Sequence, residues 1–406
     1  MNIKIKTPVF ARSERATAVK LSEIVQISES VQARKAKGED ILSFGTGEPD
    51  FPTPMNIIEA AHSAMLAGQT TYPPTQGIPS LRKAIIEHTA SEPSGKLDKT
   101  EVIVCTGAKQ VLSNAFLATL NQGDEVIVPA PYWTSYVDIV AFCQANLVPV
   151  ACTGETNFKL SPAQLSAAIT SKTKWLLLNS PGNPSGALYS PQELSALADV
   201  LRANPHVWIL ADEIYQHISY DTFTSFREIA PDLLARMLIV NGVSKAYAMT
   251  GWRLGWGIGP RELIDTMVGV QGQSTSGACS ISQAAAIAAL TGPQDVLSER
   301  LASFKERRDY VVDALNKTRR LDCLTPGGAF YVFPSCVKTF GLKTPDGTEL
   351  TTDAEFCEFI LASAGVALVP GRAFGLSGHF RLSYAYAMAD LKEGCARIAN
   401  AVAELS

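Results

Sequence analysis

Leu238-Ile239-Val240-Asn241-Gly242-Val243-Ser244-Lys245 is the part of the sequence from which the fold is most readily inferred. A short apolar run that ends in small and polar residues is typical of a strand buried in a parallel sheet. Lys245 would then follow the end of that strand, and Arg253 comes eight residues later. An amine and a guanidinium so placed can surround one phosphorylated aldehyde. Taken alone, Lys245 is more simply a surface lysine in a loop.

Four further apolar runs share this pattern and alternate with alanine- and leucine-rich segments of helical period. They are residues 102–104, 126–128, 175–178 and 207–210. The alternation predicts an α/β fold whose mainly parallel central sheet is flanked by helices. The segments that follow such strands meet at one edge of the sheet, where ligands bind. These segments are Thr106-Gly107-Ala108-Lys109, residues 129–133, residues 179–186, Asp212-Glu213-Ile214-Tyr215 and Ser244-Lys245.

The two ends of the chain predict a smaller α+β domain. Their predicted elements are an amphipathic helix at 22–36, a short strand at 41–44, a long helix at 299–316, a hairpin-like segment at 327–332 and a strand at 380–383. A chain of 406 residues with 46% hydrophobic content is long enough for two domains. We expect a large domain over 50–299 and a small domain formed by 1–49 and 300–406.

The composition excludes several classes of function. A net charge of −4 gives no basic surplus for binding nucleic acid or an anionic membrane. The eight cysteines are scattered, and neither they nor the histidines have metal-ligand spacing, so no metal site is predicted and the thiols should be reduced and mostly buried. No signal peptide is evident within residues 1–20, and no stretch has membrane-spanning length. We expect a cytoplasmic protein.

Gly107-Ala108-Lys109 is a candidate phosphate site. It precedes a helical segment at 110–120, and amides at a helix N-terminus attract anions. The spacing differs from that of the nucleotide-binding G-x-x-x-x-G-K-[ST] loop. An ordinary strand-to-helix turn is an equally good interpretation.

Asp212 is a candidate partner for a cationic ring. It ends an apolar strand, where a buried carboxylate needs a cation or hydrogen-bond donors, and a pyridinium nitrogen is such a partner. Tyr215 and Asn183 could both donate to a phenolate oxygen on the same ring. The alternative for Asp212 is a chemically silent helix N-cap. Together with Lys245, these residues suggest pyridoxal 5'-phosphate held as a Schiff base.

Two other residues are ambiguous on sequence alone. Trp133 either stacks on a ring or belongs to the core. Arg381 lies between Phe380 and Leu382, and its planar guanidinium either recognises a carboxylate or forms a structural ion pair.

An ordered set of motifs over nearly the whole chain resembles the fold-type I, class I aminotransferases. The motifs are Gly45-Thr46-Gly47-Glu48-Pro49-Asp50-Phe51, Tyr72-Pro73-Pro74, Asn179-Ser180-Pro181-Gly182-Asn183-Pro184-Ser185-Gly186, Asp212-Glu213-Ile214-Tyr215, Ser244-Lys245 with Met249-Thr250-Gly251-Trp252-Arg253, and Arg381-Leu382-Ser383-Tyr384. Each motif is weak by itself, whereas the ordered set is specific. The resemblance implies that the large domain binds pyridoxal phosphate.

The resemblance also implies roles for these residues. Lys245 bonds to the cofactor and then moves the proton, and Asp212 keeps the ring nitrogen protonated. Asn183 and Tyr215 hold the ring oxygen, and Trp133 stacks on the ring. The phosphate would be held by the amides of Ala108 and Lys109 after Gly107, by Arg253, and by Tyr72 of a partner subunit. The expected assembly is therefore a homodimer with shared active sites.

The substrate assignment follows from the same resemblance. The α-carboxylate would meet Arg381, the backbone of Gly47 and the amide of Asn183, with Trp133 beside it. Two segments, Thr106-Gly107-Ala108-Lys109-Gln110 and Pro131-Tyr132-Trp133-Thr134-Ser135-Tyr136, resemble the bacterial aspartate aminotransferase branch, in which a lysine at the position of Lys109 receives the distal carboxylate. This implies ping-pong transfer of the amino group of aspartate or glutamate to 2-oxoglutarate or oxaloacetate.

Two alternatives remain at this stage. One is a broader aminotransferase that acts on alanine, aromatic amino acids or prephenate, and the other is a non-catalytic aminotransferase-like module that regulates a partner. Two positions depart from the family pattern. Ile24 replaces a common threonine near the pocket mouth, which would make the pocket more apolar. Gly242 replaces a serine that often binds phosphate, so Arg253 and the helix amides would carry more of that binding.

Overall fold

A computed structural model describes residues 10–19, 22–89, 98 and 101–406. The helices in these ranges are α1 (Glu14–Ala18), α2 (Glu23–Lys35), α3 (Met55–Leu66), α4 (Pro79–Thr89), α5 (Ala108–Thr119), α6 (Ser135–Phe142), α7 (Pro162–Ala168), α8 (Pro191–Arg202), α9 (Phe226–Ile229), α10 (Arg261–Gly272), α11 (Ser280–Thr291), α12 (Asp295–Lys317), α13 (Asp353–Ala364) and α14 (Met388–Ala403). The strands are β1 (Leu42–Ser43), β2 (Val102–Cys105), β3 (Glu125–Ala130), β4 (Asn146–Ala151), β5 (Thr173–Asn179), β6 (Trp208–Asp212), β7 (Met237–Gly242), β8 (Gly255–Ile258), β9 (Tyr331–Val332), β10 (Val366–Ala367), β11 (Val369–Pro370) and β12 (Phe380–Ser383).

The central sheet has seven strands in the order β2-β8-β7-β6-β5-β3-β4. The neighbours from β7 to β4 are parallel, and β8 is antiparallel to both β2 and β7. The five strands expected from the apolar runs therefore point in the same direction. The mainly parallel α/β fold is confirmed.

Two strands of this sheet, β4 and β8, were not predicted. β4 lies at the edge of the sheet and contains Pro149, which weakens the sequence pattern of a strand. β8 is rich in glycine because α5 packs closely against it. A β-carbon at Gly255 would lie 2.4 Å from the amide nitrogen of Ala108, and one at Gly257 would lie 2.8 Å from Val111 Cγ1.

Hydrophobic clusters cover both faces of the sheet. One face contributes Val104, Ile127, Leu176 and Ile239 to a cluster with α3, α4, α8 and α11. The other face contributes Ile103, Val126, Leu177 and Leu238 to a cluster with α5, α6 and α10. Because alternate residues of each strand face opposite clusters, nearly every residue of these strands is apolar.

A third cluster unites elements from both ends of the chain. Phe44 packs there with residues of α12, α13, α14 and β12. β1 pairs in parallel with β10, and β9 pairs with β12 in a three-stranded sheet. The expectation of a hairpin at 327–332 was wrong, since Tyr331 and Val332 pair with Ser383 and Leu382.

The proposed domain boundaries remain a prediction. α12 runs through the expected division at residues 299 and 300. Residues 1–9, 20 and 21 of the expected small domain lie outside the described ranges. None of the helices within the described ranges has the length and apolar character needed to span a membrane.

Candidate active site

A cavity of about 340 Å³ opens at the carboxyl edge of the central sheet. The segments that follow β2, β3, β5, β6 and β7 all contribute to it, as the strand pattern predicts. Its lining residues are Ile24, Thr46, Gly47, Glu48, Ala108, Lys109, Trp133, Tyr136, Asn179, Asn183, Asp212, Ile214, Tyr215, Ser244, Lys245, Thr250, Arg253, Tyr331 and Arg381. Four lysine or arginine side chains face two carboxylates in this set, which suits anionic ligands.

Lys245 follows β7 and projects into the cavity, where its Nζ donates a hydrogen bond to the carbonyl of Gly47 across 2.7 Å. Burial is the main cause that lowers the pKa of Lys245 to about 8. The charges of Arg381 and Arg253 lower it further, whereas those of Glu48 and Asp212 raise it. The unprotonated form, which covalent amine chemistry requires, is therefore far more accessible near neutral pH than in an ordinary lysine.

Asp212 ends β6 and is 3% exposed. The hydroxyl of Tyr136 donates to its Oδ2 across 2.7 Å, and the amide of Ile214 donates to its Oδ1 across 3.3 Å. Burial raises the pKa of Asp212 to about 6, although both hydrogen bonds and the charge of Lys245 lower it. No ion pair joins Asp212 to another described residue. It is therefore available to a cationic ligand group.

The N-terminus of α5 and Arg253 form a cradle for an anion. Gly107 has a φ of +80° and no side chain among the described residues caps the helix. A β-carbon at Gly107 would lie 2.6 Å from Arg253 Nη2, so glycine leaves the space in which the guanidinium approaches the helix. Arg253 Nη1 donates to the carbonyl of Thr250 across 2.8 Å. Free helix amides beside a guanidinium fit a phosphate group.

Arg381 is a buried cation, 1% exposed, that also lines the cavity. Its Nη1 donates to Asn183 Oδ1 across 2.9 Å, and its Nη2 donates to the carbonyl of Gly45. Its buried Nε has no hydrogen-bond partner among the described residues. No ion pair joins Arg381 to another described residue, so the structural ion pair considered from sequence is not found there, and the guanidinium fits a ligand carboxylate.

One tripeptide, Gly45-Thr46-Gly47, contacts both Arg381 and Lys245. The Gly45 carbonyl accepts from Arg381, and the Gly47 carbonyl accepts from Lys245. Main-chain oxygens thereby hold both cations in this structure.

Asn179 connects two of the segments that line the cavity. The Asn179 side chain accepts a hydrogen bond from the main-chain amide of Asn183 and donates to the main-chain carbonyl of Asp212, each across 2.9 Å.

Lys109 Nζ lies 4.9 Å from the centroid of the Trp133 ring. The structure therefore places Trp133 and Lys109 together at the cavity wall, where either can contact a ligand.

Three predicted positions have distinct environments. Tyr72 is 92% exposed and does not line the cavity. Ile24 does line it, as its position near the pocket mouth suggested. Gly242 does not, and a β-carbon there would lie 2.9 Å from the carbonyl of Leu254, so close approach of β7 and β8 favours glycine.

Sequence reasoning did not single out several residues that complete the site. The most consequential are Tyr136, which contacts Asp212, and Tyr331, whose hydroxyl lies 3.0 Å from that of Tyr215. Glu48 and Thr250 form a hydrogen bond across the cavity wall. Glu48 and Thr250 belong to quoted motifs, and Tyr136 follows Trp133 by three residues, so their positions in the sequence were the available signal. Among the described residues, no cluster of metal-ligating side chains was found.

Comparisons with known proteins agree with this geometry. The family described as Aminotransferase class I and II matches residues 39–398. An aspartate aminotransferase of Rhizobium meliloti strain 1021 is 49% identical over 100% of both chains. A probable aspartate/prephenate aminotransferase of Rhizobium leguminosarum bv. phaseoli is 49% identical over 95% of this chain and 97% of its own. The crystal structure of the Rhizobium meliloti aspartate aminotransferase matches with a TM-score of 0.96 at 50% identity, covering 98% of this chain and 100% of that one.

Proposed function

This chain belongs to the class I and II aminotransferases, and we propose that it transfers the amino group of aspartate or glutamate to 2-oxoglutarate or oxaloacetate by a ping-pong mechanism. The observation that supports this choice is the presence of Lys109 and Arg381 in one cavity. Two separate cations suit a substrate with two carboxylates. The similarity to proteins named aspartate aminotransferase supports the same choice.

The cofactor is pyridoxal phosphate, which supplies an electron sink for the substrate carbon when bound. The residues present fit it. We propose that the amides of Ala108 and Lys109, after Gly107, hold the phosphate together with Arg253, in the space that a side chain at Gly107 would fill. Asp212, a buried carboxylate that forms no ion pair with another described residue, would hold the ring nitrogen in its protonated form.

Three polar or aromatic side chains complete the proposed cofactor site. Asn183 and Tyr215 would donate to the ring oxygen, and Trp133 would stack on the ring. All three line the cavity. Their convergence from three different loops supports these roles, because a flat ring needs contacts at its edge and on its face.

Lys245 is the proposed base. Its Nζ would take the proton from the substrate α-carbon and deliver it to the cofactor carbon during transfer of the amino group. The lowered pKa of this amine supports the role, because an amine must be unprotonated to accept a proton. Burial around Lys245 also limits contact of the proton with water.

The α-carboxylate of the substrate would bind Arg381, with the backbone of Gly47, the side-chain amide of Asn183 and Trp133 beside it. The Nε of Arg381, which has no hydrogen-bond partner among the described residues, supports this assignment. Lys109 would bind the distal carboxylate from the wall next to Trp133. A broader aminotransferase that acts on alanine, aromatic amino acids or prephenate is a second candidate. Ile24 in the cavity and the similarity to a probable aspartate/prephenate aminotransferase favour it.

The substrate proposal is tested by Lys109→Ala, with amino donors compared in half-reactions. We expect kcat/KM for aspartate to fall about 10- to 100-fold, because one charge-assisted hydrogen bond is lost. The value for alanine or phenylalanine should change little. Lys392→Ala is the matched control, since Lys392 also lies over an aromatic ring, that of Tyr310, outside the cavity. Unchanged activity with aspartate in Lys109→Ala would contradict the dicarboxylate assignment.

We further propose a homodimer in which Tyr72 contacts the phosphate in the partner's site. Tyr72 is exposed and lies outside its own cavity. Large apolar side chains are also exposed on α3, which precedes Tyr72 in the chain, with Met55 at 64% and Leu66 at 77%. Exposed apolar side chains of this size are typical of a protein interface.

Sedimentation of the holoenzyme tests the dimer. Leu66→Glu should shift the dimer towards monomer and weaken cofactor binding, whereas Leu324→Glu, an exposed leucine elsewhere, should do neither. A monomeric wild-type protein with full activity would refute the shared site.

A cytoplasmic location is also proposed. All eight cysteines are free, six of them are buried, and this state suits a reducing compartment. Fractionation of cells that produce the protein, with enzyme activity assayed in each fraction, tests this location.

A further inference from the structure

Tyr331 contacts three separate parts of the proposed site. It belongs to β9 and is fully buried. Its hydroxyl oxygen lies 3.0 Å from that of Tyr215, and its ring centroid lies 4.6 Å from the guanidinium carbon of Arg381. A β-carbon at Gly47 would lie 2.6 Å from the same hydroxyl oxygen. One side chain therefore lies between groups proposed for the cofactor and groups proposed for the substrate.

The hydrogen bond between the two tyrosines has a preferred direction once the cofactor is bound. A tyrosine hydroxyl has one hydrogen to donate and can also accept. If Tyr215 donates its hydrogen to the ring oxygen of the cofactor, its own oxygen is free to accept from Tyr331. Among the described residues, Tyr215 is the hydrogen-bond partner found for the Tyr331 hydroxyl. Donation by Tyr331 would also make Tyr215 a stronger donor, because linked hydrogen bonds polarise one another.

The Tyr331 ring acts on a different group. Arg381 lies over it, and the guanidinium carbon also lies 4.9 Å from the centroid of the Phe374 ring. Aromatic faces attract a guanidinium and limit its orientations. The ring thus helps to fix Arg381 while leaving Nε unpaired.

We propose that Tyr331 is a positioning residue that directs the Tyr215 hydroxyl towards the cofactor through its own hydroxyl and orients Arg381 for the substrate carboxylate through its ring. This inference rests on the roles proposed above for Tyr215 and Arg381. It assigns separate effects to the hydroxyl and to the ring, so the two can be removed separately.

Tyr384 provides a matched control. The buried Tyr384 forms a second tyrosine pair at the same hydrophobic cluster, with its hydroxyl 2.9 Å from that of the half-buried Tyr220 and 3.0 Å from the carbonyl of Ala329, and it does not line the cavity. Removing either hydroxyl leaves a similar cavity in the core. A purely structural role for Tyr331 therefore predicts that Tyr331→Phe and Tyr384→Phe behave alike.

The decisive measurement is the visible absorption of the bound cofactor as a function of pH in the full-length holoenzyme. In Tyr331→Phe we expect the midpoint of this titration to rise by roughly half to one pH unit, because a ring oxygen with a weaker donor holds a proton more tightly. Tyr384→Phe should leave the midpoint unchanged. Thermal unfolding midpoints should be similar for the two variants, which confirms that both are folded.

A second variant isolates the ring. Tyr331→Leu should weaken binding of succinate, a non-reactive dicarboxylate, and raise KM for aspartate about tenfold. Tyr331→Phe, which keeps the ring, should leave both values within about twofold of wild type. Equal succinate affinity in Tyr331→Leu and wild type would overturn the role proposed for the ring.

Tyr215→Phe separates failure of this inference from failure of the proposed site. If Tyr215→Phe moves the absorption midpoint and Tyr331→Phe does not, Tyr331 does not direct Tyr215 and the inference is wrong. If neither variant moves it, the role proposed for Tyr215 fails, and the inference fails with it.

Discussion

Tyr136 donates its hydroxyl hydrogen to Asp212 Oδ2 across 2.7 Å, and both side chains are buried. Burial by itself raises the pKa of Asp212, whereas this bond lowers it. The bond thus helps to keep the carboxylate ionised at neutral pH, the state in which it can pair with a protonated ring nitrogen.

Tyr136→Phe should therefore weaken the proposed function of Asp212. We expect the pKa of Asp212 to rise, and kcat/KM to fall about 10- to 100-fold, since a hydrogen bond to a charged group is worth roughly 1.5–3 kcal/mol. Steady-state kinetics and cofactor dissociation measure the effect. Tyr247→Phe is the control, because Tyr247 donates to Gln294 outside the cavity. Equal losses in both variants would show a general packing effect.

Lys245→Met should stabilise the cofactor-free protein at neutral pH. The ordinary lysine pKa of 10.5 is lowered to about 8 in the fold. Between these two values the unfolded chain binds more protons, so stability rises as the pH rises from about 8 to 10.5. Below pH 8 the wild type carries the full penalty of the buried charge, and the variant should be more stable by roughly 1–3 kcal/mol.

Denaturant unfolding at pH 7 and pH 10 measures this difference. The gap between variant and wild type should shrink at the higher pH. Lys392→Met, at an exposed lysine, should show no comparable pH dependence. A constant gap for Lys245→Met would indicate that its amine does not have a lowered pKa in the fold.

Gly107→Ala should reduce cofactor affinity beyond its effect on stability. The positive φ makes alanine unfavourable by roughly 1–3 kcal/mol, and the added carbon would meet Arg253 Nη2 at 2.6 Å. Gly123 has a φ of +87° and no atom within 4 Å of its β-carbon position. Gly123→Ala should therefore destabilise the protein while leaving the cofactor dissociation constant unchanged. Fluorescence titration with pyridoxal phosphate distinguishes the two variants.

Ile24→Thr should favour aspartate over aromatic donors. Ile24 supplies apolar surface to the cavity, and a hydroxyl there would be better tolerated by a charged side chain. We expect the ratio of kcat/KM for aspartate to that for phenylalanine to rise about 3- to 10-fold. Ile27→Thr changes the same helix in the same cluster but outside the cavity. If Ile27→Thr raised the ratio of the two kcat/KM values as much as Ile24→Thr does, the position of Ile24 in the cavity would not be the cause.

The strand pattern predicted the location of the site because five apolar runs end at the same edge of the sheet. Chemically distinctive residues such as Lys245, Asp212 and Arg381 follow or belong to strands, so their type and place could be combined. β8 was not predicted because glycine is unusual in a strand. Its glycines are required by close packing against Ala108 and Val111, which are distant in sequence.

The aromatic residues were harder to assign. Tyr136 and Tyr331 are buried like many core residues, and only the three-dimensional contacts show that each also borders the cavity. Tyr72 is exposed, and its role is hard to assign from one chain because its proposed ligand lies in the site of another copy of the chain. Neither kind of contact leaves a periodic pattern in the sequence.

The segment containing Gly45 and Gly47 competes with ligands for Arg381 and Lys245. Its carbonyl oxygens hold Arg381 and Lys245 in this structure, so an incoming carboxylate and cofactor would have to displace bonds that already exist. The measured affinities for substrate and cofactor would then include the free energy of breaking these hydrogen bonds. The apparent affinity would therefore depend on how stable the bonds from Gly45 and Gly47 are.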